Sequence, residues 1–245
     1  MDWWLIVAAV TAGLYGALAG TLVPHALYRL SVEPGEAWRA SAPCGHALGG
    51  WAGRARCAAC GGRYGPGALW PAAATAAACA ATAAAVGVRP ELVVWLLAVP
   101  VGVLLAGVDR AVRRLPDVLT LPLAAGTAAL LGVAATLPGA AGSWPGALLG
   151  GAALGGAYLL LFLAHPAGMG FGDVKLAAGL GCALGWYGWG ALICGALAGL
   201  LPASVYGAWL MLTRRAGRGA TMALGPFLVA GAWLGVLAGG WAVRP

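Results

Sequence analysis

Two aspartates, Asp109 and Asp173, lie at the edges of long apolar segments and are the first candidates for chemistry. The chain of 245 residues contains only seven acidic residues, and none lies between Asp117 and Asp173. A carboxylate at membrane depth is energetically costly, so it is by default a candidate for function. Two carboxylates at one point can share a proton, so that one activates water while the other polarises a peptide carbonyl. We therefore expect Asp109 and Asp173 to form the catalytic pair of an aspartyl hydrolase.

Asp173 lies in a glycine-rich segment, residues 168–175, which reads Gly-Met-Gly-Phe-Gly-Asp-Val-Lys. Gly170 and Gly172 leave space for an extended peptide against the backbone, and they permit the φ values that a break before a helix requires. Lys175 does not face Asp173 on a helix, so we expect it to reach a lipid headgroup or a substrate carboxylate, with a catalytic lysine as the alternative. Transporters use similar broken segments to hold coupling ions, which is the competing interpretation.

Asp109 lies in the segment 108–122, which joins two apolar runs. Residue 115 precedes a proline, which disfavours the helical region, so the earlier span should end there. Asp117 follows that proline and is well placed to cap the next helix. Asp109 lies one to two turns earlier and, like Asp173, has no evident capping role. This difference from Asp117 favours Asp109 as the partner of Asp173.

Composition predicts the elements that must position these residues. The chain is 62% hydrophobic and 9% charged and contains 42 glycines, and its apolar runs have the length of bilayer crossings. We predict an all-α integral membrane protein with about eight transmembrane helices and one larger cytoplasmic loop after the first. The spans fall at about 3–27, 68–87, 91–109, 118–137, 146–164, 173–188, 191–212 and 222–242. Small residues should let these helices approach closely.

The basic residues are distributed unevenly between the two sides of the membrane that these spans predict. Of the 14 basic residues, only Arg89 and Arg244 fall on the side of the membrane where both chain termini are predicted to lie. By the positive-inside rule the large loop is cytoplasmic, which predicts a multi-pass protein of the cytoplasmic membrane with its active site facing the cytoplasm. The net charge of +7 is then a consequence of topology, so we expect the lipid bilayer, and no nucleic acid, as a partner.

The first loop contains Cys44, Cys57 and Cys60, and the last two have the Cys-x-x-Cys spacing of half a zinc site. A tetrahedral site needs a fourth ligand, which His46 or His25 could supply. The alternative is a set of free thiols in a degraded loop. A cytoplasmic location argues against a structural disulfide.

Several segments resemble the type IV prepilin peptidases. Residues 170–175, Gly-Phe-Gly-Asp-Val-Lys, are similar to the family's GxGDxK motif. Asp109 followed by Pro-Asp and Leu-Thr-Leu-Pro at 116–122 resembles its other aspartate segment. Residues 20–30 resemble its entry into the first loop, and residues 224–227, Leu-Gly-Pro-Phe, resemble its FGPF segment.

The resemblance implies that Asp109 and Asp173 are catalytic and that prepilins or pseudopilins are cut after a short basic leader ending in Gly. It also implies two parts: residues 1–67 with the first helix and Cys-containing loop, and residues 68–245 as the peptidase core. Many family members also methylate the new N-terminus with S-adenosylmethionine. The peptidase itself needs no cofactor, and zinc would belong to the loop.

Three features depart from the family pattern. Pro24 stands where Asn is usual, Ser41 stands where the first Cys is expected, and the stretch between Cys44 and Cys57 is short. We therefore expect cleavage and leave methylation open. The rival class is a transporter or channel that uses the two aspartates as ion or proton ligands, but the chain has no second GxGD-like segment.

Overall fold

Eight helices make up the fold in the computed structural model, which describes residues 3–166, 168–213 and 222–244. They are α1 (Trp3–Leu30), α2 (Leu69–Val86), α3 (Pro90–Val112), α4 (Asp117–Ala135), α5 (Trp144–Ala164), α6 (Phe171–Gly185), α7 (Trp189–Leu212) and α8 (Gly225–Ala242). In these ranges the only β-structure is two isolated bridges in the first loop. The predicted all-α fold is confirmed.

Seven of these helices are long and apolar enough to cross a membrane. The exception is α6, whose 15 residues span only about 22 Å against a hydrocarbon core of about 30 Å. It lies inside the bundle, packed against α4, α5, α7 and α8, and most of its residues are buried. Protein rather than lipid surrounds α6, so its length is not set by the bilayer. The prediction of a span at 173–188 is therefore correct as a helix but not as a full-length crossing.

The chain alternates between two ends of the bundle. One end, which we term the loop face, carries the first loop and the α3–α4 connection, joined where Arg114 Nη1 donates to the Glu33 carbonyl at 3.2 Å. At the opposite face, the N–H of Ser143 donates to the Trp186 carbonyl at 3.0 Å. Which face is cytoplasmic remains a prediction. Three of the arginines that support it, Arg214, Arg215 and Arg218, lie outside the described residues.

Glycines bring the helix backbones together at three pairs of neighbours: α1 with α2, α5 with α6, and α7 with α8. A Cβ at Gly16 would lie 2.8 Å from the carbonyl carbon of Thr75, and one at Gly150 would lie 2.7 Å from Cα of Gly185. A Cβ at Gly235 would lie 2.8 Å from Cα of Gly195. Such contacts supply the van der Waals packing that holds membrane helices together, as the composition predicted.

Candidate functional site

Asp109 lies in the last turn of α3, and its side chain is only 4% exposed. The helix ends three residues later, where Arg113 adopts a left-handed φ of 51° and its N–H donates to the Asp109 carbonyl at 2.7 Å. The carboxylate oxygen Oδ2 accepts a hydrogen bond of 2.8 Å from the N–H of Gly225, the first residue of α8. The expectation that Asp109 has no capping role is therefore wrong, because it satisfies a free backbone donor at the start of another helix.

Asp173 lies in the first turn of α6 and is also buried. Its backbone N–H donates to the Gly170 carbonyl at 3.0 Å, and its Oδ2 accepts from the Gly170 N–H at 3.1 Å. Asp173 therefore does have a capping role, contrary to the sequence expectation, and it lies where the helix dipole favours negative charge. Its other oxygen, Oδ1, is buried and has no hydrogen-bond partner in the described part of the chain.

Both carboxylates line one cavity of about 510 Å³ at the loop face. They are close enough for the charge of Asp109 to act on Asp173. The cavity walls come from the end of α3, the α3–α4 connection, the starts of α4 and α6, and two residues of the first loop, Pro34 and Trp38. The fold thus brings the two candidate catalytic residues together, as the sequence predicted, but the loop contribution was not foreseen.

Lys175 and Asp117 form an ion pair at the same cavity, with Nζ and Oδ2 2.7 Å apart. Asp117 is the first residue of α4, and its side chain makes no capping hydrogen bond, because Pro116 occupies the cap position. The expected capping role of Asp117 is therefore wrong. Lys175 does not pair with Asp173, as expected, but its charge is directed at a neighbouring helix. The pair ties the start of α4 to α6.

The glycines of the segment 168–175 have different roles. Neither Gly170 nor Gly172 has a positive φ, so the expectation that the break before the helix requires φ values special to glycine is wrong. A Cβ at Gly172 would lie 2.8 Å from Cβ of Leu115, so this glycine permits close contact between α6 and the α3–α4 connection. Gly170 and Gly172 both line the cavity.

Tyr158 of α5 is a site neighbour that sequence reasoning missed. It is buried, its hydroxyl lacks a hydrogen-bond partner among the described residues, and it interacts electrostatically with Asp173. It packs in the apolar cluster beneath the cavity together with Val174 and Leu176. The available signal was a single tyrosine in an otherwise apolar span.

A second cluster of functional residues lies in the first loop. Ligand atoms of Cys44, His46, Cys57 and Cys60 all lie within 4.8 Å of one another. Nδ1 of His46 is 3.4 Å from Sγ of Cys44 and 3.5 Å from Sγ of Cys57. The hydrogen bond from His46 lowers the pKa of Cys44 to about 6, and these thiols in turn raise the pKa of His46. Three thiols and one imidazole form a donor set suited to tetrahedral zinc.

Two tight turns present these ligands. The first is closed by the Ala42 N–H and the His46 carbonyl at 2.9 Å, and the second by the Cys57 N–H and the Gly62 carbonyl at 2.8 Å. Gly45 and Gly61 have φ values of 82° and 70°, which residues with a Cβ rarely adopt. The two turns therefore hold the four side chains at one place in the loop.

His25, the other candidate for a fourth ligand, is engaged elsewhere. Its Nδ1 lies 2.7 Å from the Tyr64 hydroxyl, and its Nε2 lies 3.3 Å from the Gly50 carbonyl. His25 follows Pro24, which interrupts the hydrogen bonds of α1. Gly53 occupies this break: it donates to the Leu22 carbonyl at 3.0 Å and accepts from the His25 N–H at 3.1 Å. Pro24, which stands where the family usually has Asn, thus creates the break in α1 at which the first loop is hydrogen-bonded.

The bundle and its cavity define a class: a multi-pass helical membrane protein with two buried carboxylates at one site. Residues 95–212 match the sequence model of the type IV leader peptidase family. This part of the chain, which contains both aspartates, is therefore similar to the type IV leader peptidase family, and the resemblance noted in the sequence is confirmed.

Curated relatives show the same similarity. Proteins named prepilin leader peptidase/N-methyltransferase from Aeromonas salmonicida and Aeromonas hydrophila are 33% and 34% identical over 156 residues. These matches cover 60% of this chain and 48% of each relative. A protein of the same name from Pseudomonas putida is 35% identical over 135 residues, covering 54% of this chain and 45% of the relative. The chain thus spans about half the length of the relatives it matches, and the transporter alternative gains no support. No solved structure matches.

Proposed function

We propose that this protein is a membrane aspartyl endopeptidase in which Asp109 and Asp173 are the catalytic pair. The observation that carries the proposal is their shared cavity, where one oxygen of each carboxylate is held by a backbone N–H and Oδ1 of Asp173 has no partner. Fixing one oxygen of each carboxylate orients the remaining oxygens for a water molecule and a substrate carbonyl.

The chemistry follows from two carboxyl groups that share one proton. The ionised carboxylate takes a proton from water as the water oxygen attacks the scissile carbonyl carbon, and the protonated partner gives its proton to the carbonyl oxygen. When the C–N bond breaks, the leaving amine takes the proton that the first carboxylate received. One hydroxyl of the neutral gem-diol intermediate returns its proton to the second carboxylate as the C=O bond re-forms, which restores the starting state.

We infer that the substrates are type IV prepilins or pseudopilins, cut after the glycine that ends a short basic leader. The curated relatives carry prepilin in their names, and the cavity opens at the face where most basic residues lie. By the positive-inside rule that face is cytoplasmic, which assigns the protein to the cytoplasmic membrane. Residues 68–245 would form the peptidase core, with residues 1–67 as the first helix and accessory loop.

Substrate contacts at the cavity are proposed for Gly170, Gly172 and Lys175. Gly170 offers backbone without a side chain beside Asp173, and Gly172 lines the same wall. Lys175 is paired with Asp117, so a substrate carboxylate would compete with that exposed ion pair. Trp38, from the first loop, adds an apolar side chain to the lining of the same cavity.

Zinc is the cofactor that the loop cluster fits, with Cys44, Cys57, Cys60 and His46 as its four ligands. The metal would hold the two turns of the loop together and has no step in the cleavage. N-methylation, the second activity in the relatives' names, would require S-adenosylmethionine as methyl donor, and product analysis decides whether it occurs here.

The experiment is to incubate the purified full-length protein with a prepilin-type substrate that has a basic leader, a glycine and an apolar helix. Peptidase activity predicts one new N-terminus immediately after the glycine, and a methyl group on that N-terminus would establish the second activity. No cleavage by a folded protein, with or without zinc, would contradict the proposal.

A further inference from the structure

Three arginines of the first loop, Arg54, Arg56 and Arg63, converge on one cavity of about 590 Å³ that lies apart from the catalytic one. The cavity is bounded by Thr21 of α1 and by the start of α2. No carboxylate of the described residues lines it, so three positive charges share one recess without neutralisation.

These arginines differ from three others on the same face. Arg29 and Arg39 donate to backbone carbonyls at 3.1 and 3.0 Å and stack over aromatic rings, and Arg114 donates to the Glu33 carbonyl. Within the described ranges, the guanidinium groups of Arg54, Arg56 and Arg63 have no hydrogen-bond or ion-pair partner. The positive-inside rule accounts for the side on which arginines lie, but it does not require three of them to meet unpaired at one cavity.

The backbone of the cavity also suits an anion. Helix α2 begins here at Leu69 with no side-chain cap and no acidic residue in its first turn. The N–H groups of Leu69 and Trp70 are therefore available, whereas residue 71 is a proline and the Ala72 N–H donates to the Ala68 carbonyl at 3.1 Å. The helix dipole adds positive potential at the same point. Guanidinium groups and helix N-termini are the donors that proteins most often use for phosphate.

The floor of the cavity is apolar and exposed at the start of α2. Leu69, which lines it, is 88% exposed, and Leu18, one turn before Thr21 on α1, is 71% exposed. A ligand that carries a phosphate above an apolar body would match both parts of the site. Arginines at a membrane surface attract anionic lipids in this way.

We propose that Arg54, Arg56, Arg63 and the start of α2 form a binding site for a phosphate ester anion, the headgroup of an anionic phospholipid. The lipid would bridge the metal-binding loop and the α1–α2 pair, fixing the loop against the membrane. A free phosphate shares the chemistry of the headgroup but would leave the apolar floor uncovered.

The test compares the delipidated full-length protein with a variant in which Arg54, Arg56 and Arg63 are all Gln. Binding is measured by native mass spectrometry and by titration with phosphatidylglycerol and with inorganic phosphate. Each arginine should contribute about fivefold, so the triple variant should bind phosphatidylglycerol roughly a hundredfold more weakly. A variant with Gln at Arg110, Arg113 and Arg114 removes the same charge at the end of α3 and in the α3–α4 connection, outside this cavity, and should bind normally.

Tight binding of phosphatidylglycerol with only weak competition by inorganic phosphate supports the lipid as ligand. Equally tight binding of inorganic phosphate, lost in the same triple variant, supports the phosphate site and assigns it to a soluble anion. Unchanged binding in the triple variant, or an equal loss in both variants, overturns the proposal. The single variant Arg54→Gln, which changes neither residue of the backbone β-bridge between Arg56 and Arg63, repeats the test if the triple variant unfolds.

Discussion

The N–H of Gly225 donates a 2.8 Å hydrogen bond to Oδ2 of Asp109, joining residues 116 positions apart in the sequence. Gly225 opens α8 and is followed by Pro226, which needs no partner for its nitrogen in the first helical turn. The Leu-Gly-Pro-Phe segment at 224–227 therefore has a physical role in presenting a backbone donor to a buried carboxylate. A motif far from both aspartates thus belongs to the same site.

We expect Gly225→Ala to impair cleavage through this contact. The new Cβ would lie 2.9 Å from Oδ2 of Asp109 and would displace the carboxylate, at a cost of about 1–3 kcal/mol in stability. Cleavage of a prepilin-type substrate should fall at least about tenfold, which corresponds to about 1.4 kcal/mol of transition-state stabilisation. Gly156→Ala in α5, where the Cβ meets open space, is the matched control and should retain activity.

Asp109→Asn and Asp173→Asn should each abolish cleavage while the protein still inserts and accumulates. Asn is nearly isosteric with Asp but cannot exchange a proton, so the shared proton is lost in either variant. Because the pair acts as a unit, the double variant should be no less active than either single variant. Inhibitors of serine, cysteine and metalloproteases should have little effect. Full activity in Asp173→Asn would refute the peptidase proposal.

Asp117→Asn should leave cleavage measurable, because Asp117 is paired with Lys175 rather than placed beside Asp173. The pair is partly exposed, with side-chain exposures of 59% and 21%, so a double-mutant cycle with Lys175→Gln should give a coupling below about 1 kcal/mol. Denaturant unfolding of the variants measures the coupling energy between Asp117 and Lys175. Cleavage of the substrate by Asp117→Asn measures whether Asp117 takes part in the reaction. If the Asp109→Asn variant is active and the Asp117→Asn variant is inactive, then Asp117 rather than Asp109 is the catalytic partner of Asp173.

Purified protein should carry about one equivalent of zinc, held by the loop cluster. His46→Ala and the double variant Cys57→Ser, Cys60→Ser should lose it in competition with a chelator, because each removes ligands from a four-donor set. Cys194→Ser changes an exposed thiol outside the cluster and should bind metal normally. Metal bound equally by all three variants would place zinc elsewhere in the protein.

The orientation can be tested by labelling single cysteines with a membrane-impermeant maleimide in intact cells. In a background without the six native cysteines, Gly49→Cys in the first loop should be protected and Thr136→Cys at the opposite face should react. Both positions are exposed, so access rather than burial decides the outcome. Reaction at position 49 in intact cells would invert the topology.

Much of the fold was determined by the sequence itself. Hydrophobic segments of bilayer length predict eight helices within a few residues of their observed bounds, because helix formation in lipid depends on local composition. The scarcity of acidic residues was enough to select Asp109 and Asp173 as candidate catalytic residues. The spacing Cys57-x-x-Cys60 likewise indicated half of a metal site.

The tertiary structure decided what each of these residues contacts. Three contacts depend on how helices and turns pack: Gly225 with Asp109, Lys175 with Asp117, and His46 with Cys44. The position of α6 inside the bundle was also decided by packing. A helix that faces protein and a helix that faces lipid are both composed of apolar residues, so the sequence does not distinguish them. Local sequence carries the tendency to form a helix, but only packing of the whole chain determines its neighbours.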